Sequence, residues 1–135
     1  MEKTQHFGVH LTIDGYGGDQ GLLNNMDNIF KCSDELPKLL QMRTITTPYV
    51  VRIGANEKKD PGGLSGFVMI AESHISIHTF PEDQFVSIDV YTCQNQLDDE
   101  TVINYFNQAF KLQNVETNKI IRGQRWGQLA ARFKP

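Results

Sequence analysis

Apolar and polar residues alternate strictly at the start of the chain. Phe7, Val9, Leu11 and Ile13 interleave with Gly8, His10, Thr12 and Asp14, the period-two pattern of a half-buried strand. Gly15-Tyr16-Gly17-Gly18-Asp19 then predicts a turn. From Asn25 to Met42 the apolar positions Met26, Ile29, Phe30, Leu36, Leu39 and Leu40 follow helical spacing, and we expect the helix in two pieces. Ser33 is placed to cap the second piece, where Pro37 is tolerable only near the start. Thr44–Ile53, rich in Thr, Val, Ile and Tyr, predicts a strand, and the polar stretch 54–63 a flexible loop. Leu64–Ala71 is a continuous apolar strand; His74–Phe80 and Gln84–Cys93 alternate around a turn at Pro81-Glu82-Asp83. Asp98-Asp99-Glu100 puts negative charge where a helix N-terminus favours it, ahead of a buried stripe of Val102, Phe106, Ala109 and Phe110. Val115–Arg122 predicts the last strand, and 123–135 forms a tail carrying Trp126.

The order β-α-β-β-β-β-α-β predicts one α+β domain over residues 1–135: a two-layer sandwich with helices on one face of a mainly antiparallel sheet. The second sheet face needs a cover, and a second subunit is the simplest one.

Charge and composition narrow the function. The formal net charge is −3, without the basic excess of a general nucleic-acid binder. No apolar run is long enough to span a bilayer and the N-terminal residues lack a signal-peptide core, so we expect a cytoplasmic protein with no membrane partner. Cys32 and Cys93 are then expected as free thiols, and no His/Cys spacing suggests a metal site.

Candidate chemistry concentrates between Gly63 and Cys93. Four serines, among them Ser65 and Ser73, two histidines, two glutamates and a cysteine fall there on a background of strands. Taken singly, Glu72-Ser73-His74 reads as a turn, Ser65 as a turn residue, His78 as a hydrogen-bonded strand histidine, Glu82 as an exposed turn carboxylate and Cys93 as a small buried apolar side chain. Taken together the run resembles the prokaryotic S-adenosylmethionine decarboxylases. The shared pattern comprises Gly63–Gly66, the apolar strand Phe67–Ala71, Glu72–His74, His78–Glu82 and Asp89–Cys93. His10 and Asp14 before a glycine turn, and Arg122-Gly123, also fit it.

The resemblance implies a proenzyme that cuts its own chain between Glu72 and Ser73, giving a β chain of residues 1–72 and an α chain of residues 73–135. Ser73 would attack the preceding carbonyl and become a covalent pyruvoyl cofactor, the group that forms a Schiff base with the substrate amine and withdraws electrons as carbon dioxide leaves. Ser65 and His78 would assist processing, Cys93 would donate the proton to the product, and His74 would be mainly conformational. A thiol suits proton donation because its ordinary pKa lies near neutrality. Glu82 and Phe80 would contact the substrate. The product would be the aminopropyl donor of spermidine synthesis, and the assembly a dimer of αβ units in α/β/β/α layers. Two positions depart from the pattern: Phe80 stands where the family often has tryptophan, a milder change, and Lys59 stands where the family usually carries an aromatic residue that stacks on adenine. The Lys59 departure keeps open an arginine or ornithine decarboxylase on the same scaffold. A non-catalytic homologue that binds a small molecule or a paralogous subunit is the reading from a different class.

Overall fold

The structure, a computed structural model, describes residues 5–56, 59 and 61–131. Its strands are β1 (Gly8–Tyr16), β2 (Tyr49–Ile53), β3 (Gly63–Ile70), β4 (Ser73–Phe80), β5 (Phe85–Thr92) and β6 (Asn114–Arg122). Its helices are α1 (Gln20–Leu23), α2 (Met26–Leu39), α3 (Asp99–Phe110) and α4 (Trp126–Ala131). The six strands form one sheet in the order β2-β3-β4-β5-β1-β6, with every neighbouring pair antiparallel. The α+β two-layer architecture expected from the sequence is the one observed.

Period-two alternation decides which side chains meet the helices. Val9, Leu11 and Ile13 of β1, Ile75 and Ile77 of β4, and Val86, Ile88 and Val90 of β5 are all buried, and they pack with Ile29 and Leu36 of α2 and Phe106 and Phe110 of α3. α3 starts as its acidic cluster predicts: the Asp98 carboxylate accepts the Thr101 backbone N–H at 3.2 Å, and Val102, Phe106 and Phe110 form the buried stripe. α2 lies close to the sheet at Gly66. A Cβ built there would come within 2.6 Å of Ile29 Cγ2, so only the missing side chain allows this approach.

Three elements differ from expectation. α2 is one continuous helix, and Asn25 caps it by accepting the Asn28 N–H at 3.0 Å. Ser33 is wholly buried inside it, and its hydroxyl donates to the Ile29 carbonyl at 3.0 Å, so it caps nothing. Pro37 lies in the last turn and not near a helix start; it removes the one N–H that would pair with the Ser33 carbonyl, and the helix continues to Leu39. The strand expected over Thr44–Ile53 begins only at Tyr49; Pro48 has no N–H to give a ladder, and Thr44 makes an isolated bridge to Ile70. A short helix, α1, follows the glycine turn, capped by the Asp19 carboxylate.

The face opposite the helices is uncovered. It carries the polar set His10, His74, Ser76, His78 and Asp89 among Tyr49, Phe67, Met69 and Ile120, which are 70%, 42%, 43% and 45% exposed. No described helix is long and apolar enough to cross a membrane.

Candidate functional site

The candidate residues form two groups at opposite ends of β4; His74 and His78 lie on the uncovered face, whereas Ser73 is in register with buried Ile70 and Thr92. At one end, Ile70 pairs with Ser73, so Ala71-Glu72 is the turn of a two-residue hairpin and the Glu72–Ser73 bond lies at its exit. Two-residue hairpins favour glycine or asparagine with positive φ. Here the positive φ, 125°, falls on Ser73, a region of backbone space open essentially to glycine. Conformational strain is thus concentrated at the serine beside the candidate scissile bond. The Ala71–Glu72 peptide is cis.

Ser73 also pairs with Thr92 of β5, and Cys93 follows directly. Gly8 of β1 closes this corner. A Cβ on Gly8 would lie 2.1 Å from the Thr92 carbonyl oxygen and 3.0 Å from the Cys93 Cα, so the residue before Val9 must be small for Cys93 to keep its place. Cys93 is partly exposed, whereas Cys32 is buried in α2 among core side chains; burial pushes the Cys32 thiol up to about 11. Only Cys93 is placed for thiol chemistry.

At the other end, Ser65 and His78 are cross-strand partners, with Oγ and Nδ1 2.8 Å apart. A hydroxyl and an imidazole at that distance can pass a proton and hold a carbonyl oxygen. The pair is solvent-exposed and well separated from Ser73. His78 lies five positions along β4, roughly 16 Å at about 3.3 Å per residue. Ser73 and Cys93 are brought together; Ser65 and His78 are brought together; the two groups do not meet within one chain.

Between them runs a network that the sequence reading did not assemble. His10 Nε2 and Asp89 Oδ1 are 2.8 Å apart, and the Ser76 hydroxyl donates to Asp89 Oδ2 at 3.3 Å. Arg122 Nη1 lies 3.4 Å from His10 Nδ1, while its guanidinium sits 4.8 Å above the Tyr91 ring. Because the arginine can only donate, Nδ1 accepts and Nε2–H points at Asp89. His74 stacks on Phe67, with centroids 5.4 Å apart, and meets Tyr91 edge-on at 5.7 Å. Burial, reinforced by His10, lowers the His74 pKa and keeps this ring neutral at physiological pH. Alternation placed His10, His74 and Asp89 on one face, but their pairing depends on β1 lying between β5 and β6.

Glu82 and Phe80 part company. Glu82 lies in the 3-10 turn Pro81–Asp83 and lines a recess with Arg52 and Pro61. Phe80 faces a neighbouring pocket that Pro61 also lines, where its ring stacks on Phe85 with centroids 5.5 Å apart. Among the described residues, no cluster of three or more His, Cys, Asp or Glu side chains is suited to a metal.

This arrangement can be set beside known proteins. A family model described as S-adenosylmethionine decarboxylase matches residues 9–123. The chain is 32% identical over 120 residues to an S-adenosylmethionine decarboxylase proenzyme of Clostridium botulinum (strain Langeland), covering 89% of this chain and 97% of that one. It is 35% identical over 116 residues to a proenzyme of the same name from Thermococcus onnurineus, covering 86% and 77%. The fold is similar to the crystal structure of the adenosylmethionine decarboxylase from Aquifex aeolicus, with a TM-score of 0.75 and 26% identity, over 88% of this chain and 92% of that one.

Proposed function

The chain belongs to the S-adenosylmethionine decarboxylase family of carboxy-lyases, and from that premise we propose that it is a proenzyme that cuts itself between Glu72 and Ser73 and then decarboxylates S-adenosylmethionine. The observation that carries this reading is the β3–β4 hairpin, which sets a strained Ser73 directly after the turn and beside the Thr92–Cys93 corner.

The steps follow from the groups present. Ser73 Oγ attacks the Glu72 carbonyl carbon; the C–N bond breaks and the serine nitrogen takes a proton, leaving an ester. Loss of the Ser73 Cα proton then expels the Glu72 carboxylate, and water hydrolyses the resulting enamine, releasing ammonia and a ketone at the new N-terminus. This fits the residues observed, since breaking the amide releases the backbone constraint at Ser73. The pyruvoyl group so formed supplies a carbonyl for the substrate amine and an electron sink. Cys93 gives the product carbon its proton.

Proton transfer during cutting falls to Ser65 and His78. Their separation from Ser73 along β4 supports a role toward the Ser73 of a second copy. A second copy facing the uncovered sheet would also cover Phe67, Met69 and Ile120, giving a dimer of αβ units in α/β/β/α layers. Residues 1–72 become the β chain and 73–135 the α chain, and the product is the aminopropyl donor for spermidine.

Intact mass under denaturing conditions tests the first half. Two chains meeting at Glu72/Ser73, the C-terminal one lighter by one ammonia, support the proposal. A single uncut 15.4 kDa chain refutes it in favour of a binding-only homologue. Carbon dioxide released from carboxyl-labelled S-adenosylmethionine tests the second half; release from arginine or ornithine instead transfers the scaffold to that substrate class.

A further inference from the structure

Residues 5–8 and 124–131 take no chemical step above, and all lie outside residues 9–123, the stretch that the family model matches. They fold onto each other. The Phe7 N–H donates to the carbonyls of Arg122 and Gly123, both at 3.0 Å, and the Gly127 N–H donates to the Gln5 carbonyl at 2.7 Å. The Phe7 and Trp126 rings meet edge to face, with centroids 5.8 Å apart. A Cβ on Gly127 would lie 2.6 Å from Gln5 N, so α4 sits directly on the backbone of the N-terminal segment. That segment in turn stands behind Cys93. Ser73, Thr92 and Val9 form one register row across β4, β5 and β1. One step further the register puts Cys93 opposite Gly8, which pairs with Arg122 on its other side. Beyond Thr92 the chain leaves the ladder and runs irregularly to α3. Two side chains hold this loop: Thr92 Oγ1 accepts the Gln94 N–H at 3.1 Å, and His6 Nε2 lies 3.1 Å from the Asn95 carbonyl. A carbonyl only accepts, so Nε2 carries the hydrogen.

We propose that α4 is a clamp on residues 5–8, and that through this clamp His6 and Gly8 are positioning residues for the Cys93 thiol. The inference rests on the decarboxylase reading for what the thiol does, and adds what holds it in place. Position matters because two carbons compete for the proton once carbon dioxide has left. On the substrate carbon the proton completes the product. On the residue-73 carbon it leaves that residue as alanine, keeping the substrate nitrogen, and water then frees the rest of the substrate as an aldehyde. The residue-73 carbon is thereby reduced and the substrate carbon oxidised, with no outside oxidant. A thiol misplaced by about 1 Å can lose about a hundredfold in transfer rate, which is enough to let the wrong carbon compete. The clamp acts where that placement is decided. Gly8 leaves no room for the Cys93 backbone to move toward β1, and the His6 hydrogen bond stops the loop from swinging outward at Asn95. The contacts also join the two products of cleavage, since residues 5–8 belong to the 1–72 chain and α4 to the 73–135 chain.

The test uses Gly127→Ala, His6→Ala and His6→Gln. Gly127→Ala adds one methyl against Gln5, yet alanine is the better helix former, so a tail that merely folds would keep or gain stability while a clamp is prised off. His6→Ala removes the tie to Asn95, and His6→Gln keeps an N–H donor. Each is made in the wild type and in uncleavable Ser73→Gly, where glycine accepts the backbone angle of residue 73. Three quantities are read: the rate of Cys93 alkylation by iodoacetamide, kcat and KM for S-adenosylmethionine, and the mass of the 73–135 chain after turnover. Gly127→Ala and His6→Ala are expected to alkylate about threefold faster or more in both backgrounds, to lose about tenfold in kcat with KM unchanged, and to gather alanine at residue 73. His6→Gln is expected to stay close to the wild type, and no variant is expected to melt earlier. Unchanged alkylation and kcat in Gly127→Ala and His6→Ala overturn the proposal, as does a loss in His6→Ala that His6→Gln shares in full. The two readings fail separately. Without carbon dioxide release the decarboxylase reading falls, and alkylation in the Ser73→Gly background still decides the clamp. Carbon dioxide release with unchanged alkylation and kcat removes the clamp alone.

Discussion

Two inactive chains should restore one another. Ser73→Ala has no nucleophile but keeps the Ser65–His78 pair, and His78→Ala keeps Ser73 but lacks the imidazole that is 2.8 Å from Ser65. His78 stands five strand residues from Ser73, roughly 16 Å, and neither side chain spans half of that. Within one chain the pair therefore cannot act on the Glu72–Ser73 bond. In a two-fold assembly, a mixed dimer has one site with both defects and one with neither. Random pairing at equal expression makes about half of the dimers mixed, so about half of all His78→Ala chains, and nearly all of those in purified mixed dimers, should be cut. The assay is co-expression with distinguishable affinity tags, tandem purification and intact mass; each variant expressed alone should remain whole. Mixed dimers that form and stay uncut would refute the reasoning, as would His78→Ala cut fully on its own. Either result would mean that the pair works within its own chain, or not at all.

The backbone at residue 73 can be tested without any chemistry. Ser73→Gly and Ser73→Ala are both uncleavable, yet only glycine tolerates φ 125°, so the glycine variant should be more stable by about 1 kcal/mol, or about 3 °C in Tm; equal melting temperatures exclude the strain. Alkylation at pH 8 should modify Cys93 and spare Cys32, whose pKa of about 11 leaves on the order of a thousandth as thiolate. After cleavage the label should therefore appear on the 73–135 chain and not on the 1–72 chain. His74 binds its proton less readily folded than unfolded, so its contribution is complete above the ordinary value of 6.5 and is lost as pH falls below it. Chemical denaturation of uncleavable Ser73→Ala should thus show stability falling below that pH, and adding His74→Phe, which keeps a ring against Phe67, should flatten the slope.

The strands were legible because alternation is a local signal. Val9, Leu11, Ile13, Ile75, Ile77, Val86, Ile88 and Val90 announce both their period and their buried face, and all of them face the helices. α2 was misread as two pieces because Ser33 and Pro37 are local break signals, and the buried stripe through Ile29, Cys32, Ser33 and Leu36 overrode both. The strand before β3 was drawn too long because β-branched residues at 44–47 outweighed Pro48. At the site, the spacing of Ser65, Ser73, His78 and Cys93 was visible, but the separation of Ser65 and His78 from Ser73 was not. Distance along a strand matters only once residues 73–80 are known to be one unbroken strand. The His10–Asp89–Arg122 network was out of reach for another reason. Its members are far apart in sequence and meet only through the order β5-β1-β6, which no local pattern encodes.

That same order explains why a chain can be cut here and stay assembled. Residues 1–72 contribute β1, β2 and β3, while residues 73–135 contribute β4, β5 and β6. In the sheet, β1 lies between β5 and β6, and β4 lies between β3 and β5, so the two pieces are interleaved. The registers Ser65–His78, Val9–Thr92 and Gly8–Arg122 join them along three strand boundaries. Cutting at the β3–β4 turn removes a two-residue connection and none of these ladders. Pulling β1 out would expose Val9, Leu11 and Ile13 and strip backbone partners from both β5 and β6, which amounts to unfolding the domain. Cleaved protein should therefore elute in native gel filtration with uncut Ser73→Ala and separate into two chains only in denaturant. Separation under native conditions would show that the interleaved sheet does not hold the halves together.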